Sequence, residues 1–279
     1  MVERFLSIRE RSIRILATDA PALPWLILWP GLGAAAEEFS RLLREGPSQG
    51  WNVAAIDPPG HGQSGAWDSW DESSALTVWE RVIETLTPAT PPVLGGHSVG
   101  ACWAIRMAAA RPASVRAVVL LDGGYLDPLP ADHDLARLHA QHVEYLHSQV
   151  YDSWERYLDA ERSAAGSWDA DTELMLRANM REQDGKILPR ISVEIADQMA
   201  AALVAYRVDS LPPLTLPMLL AVATLPEELA EQREQGIRSL RSRAPNLQVT
   251  PIEHASHDLL VDNPAEVTRA VWAFLRTLT

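Results

Sequence analysis

At 279 residues the chain is longer than one average domain of roughly 150 and shorter than two, which predicts one large core with a sizeable insertion; a composition of 47 % hydrophobic and 22 % charged residues excludes a disordered chain. A formal charge of −13, from 24 Lys plus Arg against 37 Asp plus Glu, would repel a phosphate backbone or an anionic membrane over most of the surface, so neither nucleic acid nor membrane is an expected partner. The single cysteine, Cys102, excludes an intramolecular disulfide, and no apolar stretch approaches the roughly 18 residues that span a bilayer, so the expectation is a soluble protein of the cytoplasm.

In chain order, residues 1–10 carry Glu3, Arg4 and Arg9 among apolar positions, unlike a secretory signal, and residues 5–16 alternate loosely, as a half-exposed hairpin does. Residues 25–29, Trp-Leu-Ile-Leu-Trp, form a continuous apolar run closed by Pro30-Gly31, the pattern of a strand buried on both faces of a parallel sheet. Residues 52–56, 92–94, 115–121, 218–222 and 247–252 repeat it. Helical patterns lie between most of them, at 36–45, 73–86, 99–110 and 227–242, and 264–278 closes the chain. Strand alternating with helix predicts parallel α/β architecture.

The alternation breaks between residues 125 and 210, where apolar residues recur at helical spacing. Leu135, Leu138, His142 and Tyr145 mark one face, and Leu174, Met175 and Ala178 another. The predicted organisation is a core of residues 1–124 and 211–279 with an inserted helical cap at 125–210.

The chemistry concentrates at Gly96-His97-Ser98-Val99-Gly100. This Gly-x-Ser-x-Gly follows an apolar strand directly and precedes a helix directly, the setting of a nucleophile elbow. A sharp turn lifts the Ser98 oxygen out of the sheet, and small neighbours let a strained backbone pass. The helix start aims free N–H groups and a positive dipole end at developing negative charge.

On these residues the chain resembles the α/β-hydrolase superfamily, from about residue 25 to the carboxyl terminus. The resemblance implies a mostly parallel, doubly wound sheet with an inserted cap. Trp29-Pro30-Gly31-Leu32-Gly33 stands where the family usually has His-Gly-x-x-Gly, which implies that the N–H groups of Leu32 and Val99 form an oxyanion hole. Pro30 departs from the pattern and removes a histidine that often braces the loop. Asp57-Pro58-Pro59-Gly60-His61-Gly62-Gln63-Ser64 resembles a structural turn after the fourth strand, so His61 is not expected to be catalytic. Ile252-Glu253-His254-Ala255-Ser256-His257-Asp258, followed by Asn263-Pro264, resembles the family's last strand, histidine loop and terminal helix. The distance back from Asn263-Pro264 selects His257 over His254 as the base.

Most relatives carry the triad acid after the strand that follows the cap, but residues 218–227 contain no Asp. There Thr224 and Glu227 have the spacing of a capping box. Asp122 ends the strand after the nucleophile helix, where some members of the superfamily place their acid, and Gly123-Gly124 would let the chain turn. Asp122 is the favoured acid, with Glu227 and Glu228 as alternatives.

Other features have bland readings. His139 and His142 share a helix face at i, i+3, a weak metal pattern more in keeping with a solvated helix, and His147 lies further along. Arg177, Arg181 and Arg190 could meet a substrate carboxylate, but an exposed face is the default. Trp29, Trp67, Trp70 and Trp103 flank the motif loops and could line a pocket or pack a core. Cys102 reads as a small buried core residue.

The expected activity is that of a serine hydrolase that needs no cofactor or metal and cleaves a carboxylic ester or related acyl bond of a small, largely apolar substrate through an acyl-enzyme. A non-catalytic ligand sensor on the same fold is the alternative from another class. A carbon–carbon bond hydrolase ranks lower, because that branch often has Trp after the catalytic histidine where this chain has Asp258. The oligomeric state is not legible in the sequence.

Overall fold

The computed structural model describes residues 1–86, 90–128 and 134–278. A hairpin opens the chain, β1 (Val2–Ile8) against β2 (Arg11–Ala17), with Phe5 outward and Ile13 and Ile15 buried. Next come β3 (Trp25–Trp29), a 3-10 turn at Ala36–Phe39, α1 (Ser40–Glu45), β4 (Asn52–Ile56), α2 (Glu72–Leu86), β5 (Val93–His97), α3 (Val99–Ala110) and β6 (Ala117–Leu121). After an insertion come β9 (Met218–Ala223), α8 (Ala230–Arg243), β10 (Leu247–Ile252), α9 (Leu259–Asp262) and α10 (Pro264–Arg276). The insertion holds α4 (Leu135–Ser148), α5 (Trp154–Ala164), α6 (Ala170–Asn179), β7 (Met180–Gln183), β8 (Lys186–Pro189) and α7 (Val193–Leu203).

Eight strands form one sheet in the order β1-β2-β4-β3-β5-β6-β9-β10. The first three pair antiparallel and the rest parallel. The apolar runs of β3, β4, β5, β6 and β9 are buried at every residue, as strands covered by helices on both faces must be. One layer of the core contains Trp29, Trp79 and Trp103 with Ile27 and Leu120. The other contains Leu26, Leu28, Phe39 and Trp272. Parallel strands end at a common edge, so the turns after β3, β5, β6, β9 and β10 meet there.

The helices of the insertion start where the sequence supplies caps. Asp134, Ser153, Asp169 and Ser192 each accept a backbone N–H of the first turn of their helix, satisfying donors that have no intrahelical partner. Three details differ from the sequence expectation. The insertion is not purely helical, since β7 and β8 form a hairpin about Asp184-Gly185, both at positive φ, the turn that favours Asp-Gly. α4 buries no residue, and Leu135 and Tyr145 are exposed. α6 buries Thr172, Met175 and Leu176 while Leu174 faces outward, a face rotated from the one expected.

The turn between β5 and α3 is packed backbone against backbone. A Cβ on Gly100 would lie 2.1 Å from the Trp29 carbonyl oxygen, and one on Gly123 would lie 2.2 Å from that of Ser98. Neither neighbour is a side chain that can swing away. Gly100→Ala is therefore expected to destabilise the protein by about 3 kcal/mol or more, the upper end of overpacking costs, as read by urea denaturation. A loss below ~1 kcal/mol would show that β3 and α3 can move apart cheaply.

Candidate active site

Ser98 has φ 54° and ψ −119°, a conformation a non-glycine residue adopts only at a cost of about 1–3 kcal/mol. The surroundings over-determine it. Its N–H donates to Leu121 O at 3.0 Å, its carbonyl accepts from Ala101 N at 3.1 Å, and Gly123 closes on it from β6. The hydroxyl stands at the sheet edge, partly exposed.

His257 lies on the loop between β10 and α9. Its Nε2 is 2.9 Å from Ser98 Oγ and its Nδ1 is 2.8 Å from Asp122 Oδ2, so Ser98, His257 and Asp122 form one hydrogen-bonded chain. The His257 side chain is 56 % exposed and that of Asp122 7 %, so the imidazole can be reached from outside while the carboxylate is sealed. Asp122, just past β6 at φ 41°, accepts at Oδ1 from Ala223 N and Tyr125 OH, both at 3.1 Å. Burial alone would raise the Asp122 carboxyl, but the hydrogen bonds from His257 and Ala223 and the charge of the nearby imidazoles hold it below the usual range.

The alternatives lie elsewhere. Glu227 and Glu228 are exposed in a 3-10 turn, Glu227–Leu229, and neither bonds His257, whose Nδ1 faces Asp122. The capping box expected at Thr224 and Glu227 does not form. Pro226 precedes the turn with no side-chain cap, because the Thr224 hydroxyl is engaged with Ile252 O and His254 N. His254 is exposed at φ 56°. His61 is buried, its Nδ1 3.1 Å from Pro59 O, and burial pushes it down to about 4.

The loop after β3 lies beside Ser98. Gly31 O accepts from Ala34 N at 3.2 Å, which fixes the Gly31–Leu32 peptide plane. Leu32 is exposed to the cavity. Val99 opens α3, so its N–H has no acceptor one turn earlier. The sequence reading missed two residues here. His97 Nδ1 lies 2.8 Å from Glu38 Oε1, His97 Nε2 lies 2.9 Å from His257 O, and Glu38 Oε2 accepts from Gly31 N at 3.0 Å. Both side chains are buried. The only sequence signal was the place of His97 immediately before Ser98.

Ser98 and His257 open into a cavity of about 470 Å³, within the usual range for ligand pockets. The insertion supplies its far wall, including Tyr157, Glu161, Met175, Met180 and Ile191. None of the lining residues, among those described, is Lys or Arg. Arg177 instead pairs with Glu173 and covers Trp154, Arg190 donates to Ala178 O, and Arg181 is exposed. His139 and His142 turn their Nδ1 atoms to the two oxygens of Asp197 on α7, at 2.7 and 2.6 Å; no group of three residues suited to a metal occurs among the described residues. Trp29, Trp67, Trp70 and Trp103 pack in one buried cluster, off the cavity wall. Cys102 is buried in α3, which raises its thiol to about 12. No described helix is long and apolar enough to cross a membrane.

Residues 26–270 match the sequence profile of the alpha/beta hydrolase family, and the chain belongs to that family. It is 24 % identical over 268 residues to the sn-1-specific diacylglycerol lipase ABHD11 of Mus musculus, covering 95 % of this chain and 84 % of that protein. Among solved structures it is similar to an E-2-(acetamidomethylene)succinate hydrolase, with TM-score 0.74, 22 % identity and 99 % of each chain covered. The thioesterase domain from the curacin biosynthetic pathway gives 0.72, 21 % and 99 % of each chain. At such identities these two likenesses are of fold.

The depressed Asp122 carboxyl links to stability with a definite sign. A group whose folded pKa lies below its unfolded value of about 3.9 stabilises the fold above that pH, and the contribution is lost as pH falls through the folded pKa. Asp122→Asn is therefore expected to destabilise most at neutral pH, with the gap to wild type in denaturant midpoint narrowing below pH ~4. A gap constant between neutral and acidic pH would mean that the charge of Asp122 adds nothing to the fold.

Proposed function

We propose that the protein is a serine hydrolase of carboxylic esters or related acyl bonds. The observation that carries this reading is the Ser98–His257–Asp122 chain, with links of 2.9 and 2.8 Å, at the floor of a cavity of ligand size. Ser98 Oγ attacks the carbonyl carbon as His257 Nε2 takes its proton. Asp122 holds the imidazole by Nδ1–H and stabilises its positive charge. The tetrahedral oxyanion is received by the N–H groups of Leu32 and Val99, each such donor worth about 3 kcal/mol by analogy. His257 then protonates the leaving group, and a water activated by the same imidazole releases the acid and regenerates Ser98. The curated relative named a diacylglycerol lipase, an ester hydrolase, supports the choice of bond.

The substrate is uncharged and largely apolar, and the insertion acts as the cap that selects it. Leu32, Leu146, Met175, Ile191 and Leu260 offer apolar contact. Glu161 and Asp258 line the same space, and burial, then the neighbouring Asp258, raises Glu161, so an anionic substrate would add to existing repulsion. A solved relative whose name specifies a succinate substrate acts on a carboxylate; this cavity, without Arg or Lys among its described lining, favours a different acyl group.

Turnover of p-nitrophenyl esters of graded acyl length tests the reading. Ser98→Ala and His257→Ala should each lower kcat by about 10⁴-fold or more, because the two act as a unit. Asp122→Asn should cost a comparable factor by favouring the wrong tautomer, and Glu228→Gln should leave most activity. Wild-type turnover in purified Ser98→Ala would sink the serine mechanism, while labelling by a fluorophosphonate without turnover would mark a ligand-binding protein. For charge selection, Glu161→Gln should raise kcat/KM for a p-nitrophenyl hemisuccinate relative to the butyrate by about fivefold, the effect of removing ~1 kcal/mol of like-charge repulsion. An unmoved ratio would remove Glu161 from substrate selection.

A further inference from the structure

We propose that Glu38 and His97 are positioning residues, a buried charge-paired brace that holds the Leu32 N–H and the His257 loop in fixed relation across Ser98. The inference rests on the serine-hydrolase reading and adds to it a pair of side chains that touch no reacting atom.

The geometry runs in one line through the site. The Glu38 carboxylate takes the Gly31 N–H at 3.0 Å with one oxygen and faces His97 Nδ1 at 2.8 Å with the other. His97 Nε2 reaches the backbone carbonyl of His257 at 2.9 Å. A carbonyl can only accept, so Nε2 carries a proton, and a carboxylate on the other side calls for a second proton at Nδ1. The ring is then an imidazolium donating in two directions, and charge-assisted bonds of this kind are short and directional.

The consequences reach the reacting centre from both sides. In a trans peptide the C=O and the following N–H point opposite ways. Gly31 is fixed at its N–H by Glu38 and at its carbonyl by Ala34 N, so the direction of the Leu32 N–H is set. The loop also rests on the ring, since a Cβ on Gly31 would lie 3.1 Å from His97 Nδ1. On the other side, the carbonyl held by His97 belongs to His257 itself, and the two rings pack at a tilt of 37° with centroids 5.0 Å apart. In the family pattern a histidine often braces this loop where Pro30 stands here; the brace in this chain comes from β5 and the 3-10 turn instead.

A buried ion pair is weak evidence for stability, because desolvation cancels much of the attraction. Its geometric effect is the stronger argument. Burial would lower the His97 pKa, but the charge and hydrogen bond of Glu38, the His257 carbonyl and Asp258 raise it to about 9. Asp122 also interacts with His97 through charge. His61, on the turn after β4, interacts with Glu38 through charge and is held neutral near neutral pH by burial. Above about pH 9 a neutral ring has one proton for two acceptors: the Nδ1–H stays with the anionic Glu38, the Nε2 lone pair then opposes the His257 carbonyl, and that side of the brace opens.

The test uses the full chain, p-nitrophenyl butyrate with the spontaneous rate subtracted, and thermal midpoints as a control for folding. Glu38→Ala should lower kcat by about 100-fold, the cost of a small misplacement of catalytic groups, with KM within about threefold. Glu38→Gln can rebuild the line without charge, its amide N–H donating to a neutral His97 Nδ1 and its oxygen still accepting from Gly31. It should recover to within about threefold of wild type at pH 7 and abolish the fall in kcat that wild type shows as pH passes about 9. A space-filling role for Glu38 would move neither the kcat-to-KM split nor the pH profile. Glu38→Ala with kcat within threefold of wild type overturns the proposal, as does Glu38→Gln that keeps the alkaline fall. If Glu38→Ala does not fold, the Glu38→Gln pH profile decides alone. Ser98→Ala runs beside them: turnover retained there overturns the serine reading and the brace together, whereas turnover lost there with wild-type behaviour in both Glu38 variants overturns the brace alone.

Discussion

The site depends on one constraint, the passage of the strained Ser98 backbone through a gap too narrow for side chains. Gly100 lies against the Trp29 carbonyl and Gly123 against that of Ser98, so the ends of β3, β5 and β6 approach as closely as bare backbone permits. The same contact orders the rest by hydrogen bonds. Ser98 N donates to Leu121 O, Asp122 N donates to Ala221 O, and Asp122 Oδ1 receives Ala223 N. A ladder of backbone bonds therefore runs from the Ser98 turn through β6 to β9, and the Asp122 carboxylate is set at the end of a neighbouring strand rather than on a free loop. Strain of about 1–3 kcal/mol at one residue is sustained because three strands and a helix hold it.

A second layer of order comes from charge. The surface is acidic, yet its buried acids each have a specific partner. In the 3-10 turn Ala36–Phe39, adjacent glutamates face opposite ways. Glu37 meets Arg14, which also pairs with Asp57 at 3.0 Å, and Glu38 meets His97. Asp57 in turn receives Ala36 N at 2.7 Å and Gln63 N at 2.8 Å, so the start of the 3-10 turn is pinned to the turn after β4. The guanidinium of Arg14 is raised above its ordinary range by Glu37 and Asp57 against the pull of desolvation, and it stays charged. The loop beside Ser98 is thus gripped from the β4 side through Glu37 and Asp57 and from the β5 side through Glu38.

What was legible in the sequence follows from the range of the signal. Continuous apolar runs showed the parallel strands because burial on both faces leaves no alternation to read. Ser98 was visible because its glycines are contiguous with it, and His257 because Asn263-Pro264 marks a helix start, where the Asn263 side chain caps Glu266 N. Asp122 could be favoured only by the position of a strand end, since its partner lies 135 residues away. The Glu38–His97 pair gave no such hint, its members being 59 residues apart on elements whose packing no periodicity records. In the insertion, helical spacing was clear but the buried face was not. Leu174 satisfies the apolar pattern as well as Leu176, and only tertiary packing decides between them: Leu176 is buried with Tyr157, Leu158, Met180 and Ile187 in a cluster of the insertion itself. The Asp184-Gly185 hairpin was readable from its turn pair but was masked by strands of four residues each, too short to show a period, the first of them mainly polar.

The division of labour between core and insertion is nearly complete, and the exception is informative. Core loops carry Ser98, His257, Asp122 and the Gly31–Leu32 peptide, while the insertion supplies Glu161, Tyr157 and the methionines that shape the far wall of the cavity. On that arrangement the wall could change without touching Ser98, His257 or Asp122, as expected of a fold whose chemistries vary by grafted segments. One hydrogen bond crosses the divide at the loop itself: Asn179, at the end of α6, accepts the Ala35 N–H at 2.9 Å. Ala35 follows directly after Ala34, whose N–H fixes the Gly31 carbonyl. A shift of α6 therefore acts on the Leu32 peptide through two short links. Contact with a bound substrate along Met175 and Leu176 of the same helix is mechanically connected to the direction of the N–H that would receive the oxyanion.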